Sequence, residues 1–400
     1  MTELLPLAIA PGEQAREALP ALRAALTGTG PAVLPYAAGS PPPEAHAGAV
    51  PDAGTALVVG TSGSTGTPKL AMLPASALAA SAAATHERLG GPGDWLLAMP
   101  PHHIAGVQVL LRCLAADTTP YFTDLRDGFT PDALTAALTA MSGYTTGAGH
   151  HRRYTALVPT QLVRCLTHSD AVAALAQLDA VLVGGAATAP TTLARARDAG
   201  IRAVTTYGMS ETCGGCVYDG IPLRDSEIRT DEVDGRISLG GATLATGYLG
   251  RPDLTEQAFT TDADGTRWFR TDDIGHRDNT GHWHVDGRID DLVNTGGLKV
   301  APRLVEEALT THVPGIAEAV VVGVPDPEWG QAVAAAVVLT DQTQPDHAPR
   351  VSEVRAALRG ILPDHALPRH VVTLDTIPLR GPGKPDRAAI TSAVRATMEP

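Results

Sequence analysis

The chain reads as an α/β protein: a large N-terminal part of parallel-rich sheets flanked by helices, plus a small β-barrel-like part, then a small mobile α+β part. Three observations predict this. Between residues 56 and 290, short apolar runs alternate with segments of helical character, the pattern of βαβ units around a largely parallel sheet. From Asp264 the texture changes to short strands with turn signals, such as Asp278-Asn-Thr-Gly281 and Asp286-Gly287. The 400 residues, 44% of them hydrophobic, suit two or three domains with substantial cores.

Residues 1–50 predict a helix over Gln14–Leu26, a strand at Ala32–Leu34 and a proline-rich connector at Pro41–Pro51. Strands are expected at Ala56–Val59, Leu96–Met99, Tyr154–Val158, Ala180–Val183 and Ala203–Thr206, and helices at Ala75–Leu89, Val107–Leu114, Pro131–Ala140, Pro159–Leu166 and Thr191–Ala199. Short strands follow at Trp268–Arg270 and His282–Val285. Helices and strands then alternate through Pro302–Thr311, Ala319–Val324, Ala332–Leu339, Val351–Leu362 and His370–Leu374, with a polar loop at Thr340–Arg350. This places a first domain at 1–288 and a mobile lid domain at 289–400.

The net charge of −13 disfavours a nucleic-acid partner. The N-terminus lacks a basic n-region, and runs such as Ala332–Leu339 are too short to cross a bilayer, so a cytoplasmic protein without membrane insertion is expected. Homo-oligomerisation stays open. Of four cysteines only Cys213-x-x-Cys216 has metal or redox spacing, and no further ligands accompany it, so packing or pocket lining is expected.

The chemistry lies in five motifs, two of them made of two separated segments. Thr61-Ser-Gly-Ser-Thr-Gly-Thr-Pro-Lys69 follows an apolar strand. Its glycines, hydroxyls and lysine suit a phosphate cradle, although the spacing is not that of a Walker loop. Pro100-Pro-His-His-Ile-Ala-Gly106 and Val183-Gly-Gly-Ala186 both follow strands, where α/β sheets place ligand loops. Tyr207-Gly-Met-Ser-Glu-Thr212 offers a ring for a purine and a carboxylate for Mg²⁺. Phe269-Arg-Thr-Asp-Asp273 with Gly287-Arg-Ile-Asp-Asp291, and Arg380-Gly-Pro-Gly-Lys-Pro-Asp-Arg387, complete the set.

In this order the segments resemble the adenylate-forming superfamily of acyl-CoA synthetases, peptide-synthetase adenylation domains and luciferases, over about residues 55–390. The resemblance implies ATP and CoA as co-substrates and Mg²⁺ as cofactor. It implies Thr61, Ser62, Gly63, Ser64, Thr65, Gly66 and Lys69 on phosphate, and Gly184, Gly185, Ala186, Tyr207, Gly208, Met209 and Ser210 around the nucleotide. It places Glu211 on the metal, Thr212 on the α-phosphate, Asp273 and Arg288 on the ribose, Asp290 at the hinge and Lys384 as the catalytic cation. His103 falls at the acyl pocket, and Gly296 and Gly297 on a pantetheine tunnel. Asp272 stands where the family has glycine, and Leu298 where it often has Glu or Asn.

Tyr154–Leu162, Leu182–Ala187 and Thr206–Asp219 resemble more narrowly the short actinobacterial o-succinylbenzoate–CoA ligases of menaquinone biosynthesis. That implies an aromatic keto acid as partner, with Cys213, Gly214 and Gly215 lining a slot for its ring. His103, Arg152 or Arg153 would serve its second carboxylate. A ligase for another aryl or acyl acid, or an adenylation domain loading a carrier protein, would share every catalytic residue.

Overall fold

The expected alternation becomes two sheets in the larger unit. The computed structural model describes residues 3–44, 48–61, 69–142, 151–340, 349–380 and 384–398. One unit takes in Met1–Gly185, Arg195–Arg229 and Ser238–Thr271; the other takes in Ala186–Ala194, Thr230–Ile237 and Asp272–Pro400. In the first, a seven-stranded sheet runs Ile221–Pro222, Gly214–Tyr218, Ala203–Met209, Ala180–Val183, Arg152–Leu157, Gly93–Leu97 and Tyr121–Phe122. The strands from Ala203–Met209 to Tyr121–Phe122 are parallel. Their carboxyl ends therefore bring Met99–His103, Val158, Gly184 and Met209–Thr212 to one edge.

A second sheet orders Leu4–Ile9, Ala32–Ala37, Thr55–Gly60, Leu70–Pro74 and Gly247–Tyr248. Thr55–Gly60 and Leu70–Pro74 form an antiparallel hairpin in which Gly60 faces Leu70. Helices Ala75–Arg88 and Ile104–Ala116 contribute Leu78, Val107 and Leu110 to a core shared with Leu57, Leu73 and Trp95.

Most expected elements are present within a few residues. The strand at Gly214–Tyr218 is not foreseen, because it opens on two glycines. A Cβ on Gly208 would stand 2.1 Å from the Gly214 carbonyl oxygen, and one on Gly215 2.9 Å from the Tyr218 ring. Close strand approach selects glycine here over the usual β-formers. The helix expected to reach Leu362 stops at Leu358, where Arg359 turns extended and Gly360 takes φ 80°.

Strand Arg267–Arg277 runs from the first unit into the second and pairs with Trp283–Arg288 so that Asp273 faces Arg288. Ile316–Asp326 and Gly330–Leu339 form a long antiparallel pair, joined by Val293–Thr295 and, in parallel, by His370–Thr373. Both faces of that pair are covered. Val321, Val333, Ala335 and Val337 pack under Pro302–His312 and Val351–Leu358, while Val320, Val322, Ala334 and Ala336 pack under Arg387–Met398. No helix among the described residues is long and apolar enough to cross a membrane.

Candidate active site

The hairpin holding the phosphate loop closes at its base, where Thr61 N–H donates to the Lys69 carbonyl at 2.8 Å. Residues 62–68, including Ser62, Gly63, Ser64, Thr65 and Gly66, lie outside the described residues. Ser210 Oγ donates to the Gly60 carbonyl at 3.4 Å, which ties the turn Ser210–Thr212 to this loop base. Lys69 Nζ lies 5.3 Å from the centroid of the Tyr248 ring, and Tyr248 Oη donates to Glu211 Oε1 at 2.8 Å. The loop base, the turn Ser210–Thr212 and Tyr248 thus meet beside one buried carboxylate, and Tyr248 is a member that the motifs do not contain. Its only sequence signal is the Thr-Gly-Tyr248 run, which reads equally well as a plain turn.

The turn itself is strained. Cys213 takes φ 53° and is fully buried. Its carbonyl accepts from Ser81 Oγ at 3.1 Å and from Gln108 Nε2, so two helices shape it. Thr212 is buried. Its hydroxyl accepts from Met209 N–H at 3.0 Å and reaches the Gly214 carbonyl at 2.7 Å. The Cys213 side chain packs in the core and not in a slot wall. Burial pushes the Cys216 thiol up to about 12 and the Cys213 thiol higher still. No group of three or more His, Cys, Asp or Glu among the described residues can hold a metal. Gly184 cannot carry a side chain, because a Cβ there would stand 2.1 Å from Thr206 Oγ1.

His103 caps helix Ile104–Ala116 from the same edge, and its carbonyl accepts from Val107 N–H at 2.9 Å. The His102 and His103 rings stand 4.3 Å apart. Burial lowers the His102 pKa, and its Nδ1 has no partner among the described residues. Further down the helix, Gln108 and Arg112 share a face at i, i+4. Arg112 is 3% exposed; its Nη2 lies 3.4 Å from Tyr218 Oη and its Cζ 4.8 Å from the Trp95 ring centroid. Among the described residues no carboxylate pairs with it, and its Nε has no partner. His86 nearby is drawn down to about 4 by burial and by the Arg112 charge. A guanidinium buried without an anion is costly, so the cluster is one acidic group short.

Arg153, expected at the second carboxylate, sits at the wrong end of its strand. The six residues Arg152–Leu157 separate it from the ligand edge by roughly 15–20 Å. Its guanidinium donates to Ser142 Oγ at 2.7 Å and to the Gln177 carbonyl at 3.1 Å, and Arg152 leans toward Asp179 at 3.8 Å. Arg153→Ala is therefore expected to leave the acid's affinity within about twofold of the parent by calorimetry. A tenfold loss would return Arg153 to the pocket.

In the second unit, Arg288 makes paired bonds to Asp290, at 2.9 and 3.0 Å, and stands 3.6 Å from Asp273 and 3.5 Å from Asp272. Burial opposes the Arg288 charge, yet Asp290, Asp273 and Asp272 outweigh it and raise the pKa. Asp272 lies in extended backbone and faces Arg236 at 3.6 Å, so the departure from glycine brings no strain. Gly296 and Gly297 take φ 60° and 81°. Trp329 covers Gly296, where a Cβ would stand 2.5 Å from its ring, and Arg369 Cζ lies 4.9 Å from the Trp329 ring centroid. Lys384 pairs by its backbone with Arg380 in a two-residue hairpin; its side chain lies outside the described residues.

Residues 29–249 match the family described as AMP-binding enzyme, and residues 304–384 the AMP-binding enzyme C-terminal domain. A probable 2-succinylbenzoate–CoA ligase of Mycobacterium tuberculosis is 45% identical over 376 residues, 93% of this chain and 94% of that protein. The o-succinylbenzoate CoA synthetase from Bacillus subtilis, solved with its acyl-adenylate intermediate, matches with TM-score 0.67 and 25% identity over 84% of this chain and 69% of that one. ATP-bound MatB from Rhodopseudomonas palustris matches with TM-score 0.80 and 22% identity over 100% of this chain and 90% of that one, a likeness of fold alone.

Proposed function

The chain belongs to the AMP-binding enzyme family, and on that premise we propose that it is an o-succinylbenzoate–CoA ligase, the step of menaquinone biosynthesis that its sequence resembles. The acid's carboxylate oxygen attacks the α-phosphorus of ATP and diphosphate leaves. The CoA sulfur then attacks the acyl carbonyl, AMP leaves and the thiol proton passes to solvent. The observation that carries this reading is the convergence of Lys69, Tyr248, Glu211 and Ser210 on the phosphate-loop base, with a buried, anion-deficient Arg112 beneath the Gly214–Gly215 strand.

Each group has a role that its setting supports. Lys69 supplies positive charge beside the phosphates, and Tyr248 fixes the Glu211 carboxylate. That carboxylate is a hard oxygen donor gripped by a neutral phenol, a donor type that fits Mg²⁺. When bound, the metal offsets charge on the phosphates. Asp273 and Arg288 take the ribose, Lys384 acts in the first step, and Gly296–Gly297 take the pantetheine arm in the second, with Asp290 as hinge. The acid's spare carboxylate is assigned to Arg112 in place of Arg153, since among the described residues Arg112 is a buried arginine with no carboxylate paired to it.

The test is AMP and thioester formation across a panel of acids, with free CoA and with a holo carrier protein. The expected result is highest kcat/KM for o-succinylbenzoate with free CoA. A higher value for benzoate, or transfer to the carrier alone, would replace this reading with one of its rivals.

A further inference from the structure

Arg387 opens the C-terminal helix Arg387–Met398, three residues after Lys384. Its guanidinium reaches three separate segments. Nε lies 3.2 Å from Asp291, one residue past Asp290; Nη2 lies 3.0 Å from Glu306 on helix Pro302–His312; Nη1 donates to the Val321 carbonyl on strand Ile316–Asp326. The Glu306 carboxylate in turn accepts from Val321 N–H at 2.8 Å. The Arg387 side chain is 29% and the Glu306 side chain 16% exposed, and burial raises the Glu306 pKa against the pull of Arg387, so this partly buried pair is sensitive to loss of either partner. The chain between is also pinned: Asp386 N–H donates to the Pro378 carbonyl at 2.8 Å, and Asp386 Oδ1 accepts from Ala389 N–H at 3.0 Å, capping the helix.

We propose that Arg387 is a positioning residue for the acid-activating step, clamping the segment just past the hinge to the base of the Lys384 hairpin. The proposal rests on the reading of Lys384 as the catalytic cation. A short backbone path joins Arg387 to Lys384, so fixing one end sets where the ammonium can travel. A point cation cannot serve three acceptors in three directions, whereas the planar guanidinium fork can. The clamp serves only the step in which Lys384 acts, so loss should fall on acid activation and spare thioester formation. A misplaced catalytic group of this kind costs on the order of 100-fold.

The experiment compares Arg387→Ala, Arg387→Lys and the paired Arg387→Met/Glu306→Gln in the full chain. The paired variant removes both charges, so it guards against unfolding from a lone buried carboxylate. Acid-dependent diphosphate release and thioester formation from preformed acyl-adenylate are measured separately. The expected result is a fall in kcat for diphosphate release of about 10- to 100-fold, KM values for ATP and acid within about twofold, and thioester formation within about twofold. Arg387→Lys should recover less than half of the loss. Equal loss in both half-reactions, or an unchanged kcat in the folded paired variant, overturns the clamp. Lys384→Ala run in parallel separates the premises: if it retains diphosphate release, the catalytic reading of Lys384 fails, and if it abolishes release while the Arg387 variants are unimpaired, only the clamp fails.

Discussion

Replacing Lys384 with alanine is expected to slow acid-dependent diphosphate release by on the order of 100- to 1,000-fold. Attack on the α-phosphorus builds negative charge on the phosphoryl oxygens and on the departing diphosphate. A cation aimed at that charge is worth most in the transition state and little in the ground-state complex, so kcat should fall while the ATP constant moves little. Thioester formation from added acyl-adenylate has no phosphoryl transfer and should survive. Rapid-quench measurement of diphosphate in a single turnover checks both. Release within about threefold of the parent enzyme would remove Lys384 from the chemistry.

Arg112→Met should have two effects of opposite sign. Among the described residues the buried guanidinium has a phenol and an indole for company and no carboxylate. Exchanging it for an apolar side chain of similar reach should leave thermal stability unchanged or raise it by a few degrees. With the acid bound, the same exchange strands a carboxylate in a dry pocket. Loss of one partner from a buried pair costs about 3–5 kcal/mol, which corresponds to roughly 150- to 4,000-fold in the acid's KM or Kd. Calorimetric melting and acid titration on one preparation test the two limbs. A variant that melts lower and binds the acid normally would mark Arg112 as a structural residue. The parallel with stability lost at functional sites is direct: the residue is retained against the interest of the fold.

The sheet and its helices were legible because apolar runs and helical segments alternate with clear punctuation, and the loops after the strands at Gly93–Leu97, Ala180–Val183 and Ala203–Met209 could be placed before any coordinate was known. Glu211, Asp273 and Arg288 were legible as parts of local motifs. Arg112 and Tyr248 were not. Arg112 sits mid-helix among Leu110, Leu111 and Cys113, where an arginine reads as a solvent-facing residue until burial shows otherwise. The basic run at Arg153 suggested a carboxylate site, but it opens its strand, and in an α/β sheet the ligand loops follow the carboxyl ends. For Cys213 packing and pocket lining both stood open from the sequence, and the buried side chain, on left-handed backbone, joins the core.

All four cysteines are unpaired, and none is more than 2% exposed. Burial lifts Cys113, Cys165 and Cys216 to about 12, which leaves almost no thiolate at neutral pH. In an assay that follows CoA consumption with a chromogenic disulfide, the folded protein will therefore contribute next to no background colour, and any slow growth of that colour will report unfolding of the chain in the cuvette.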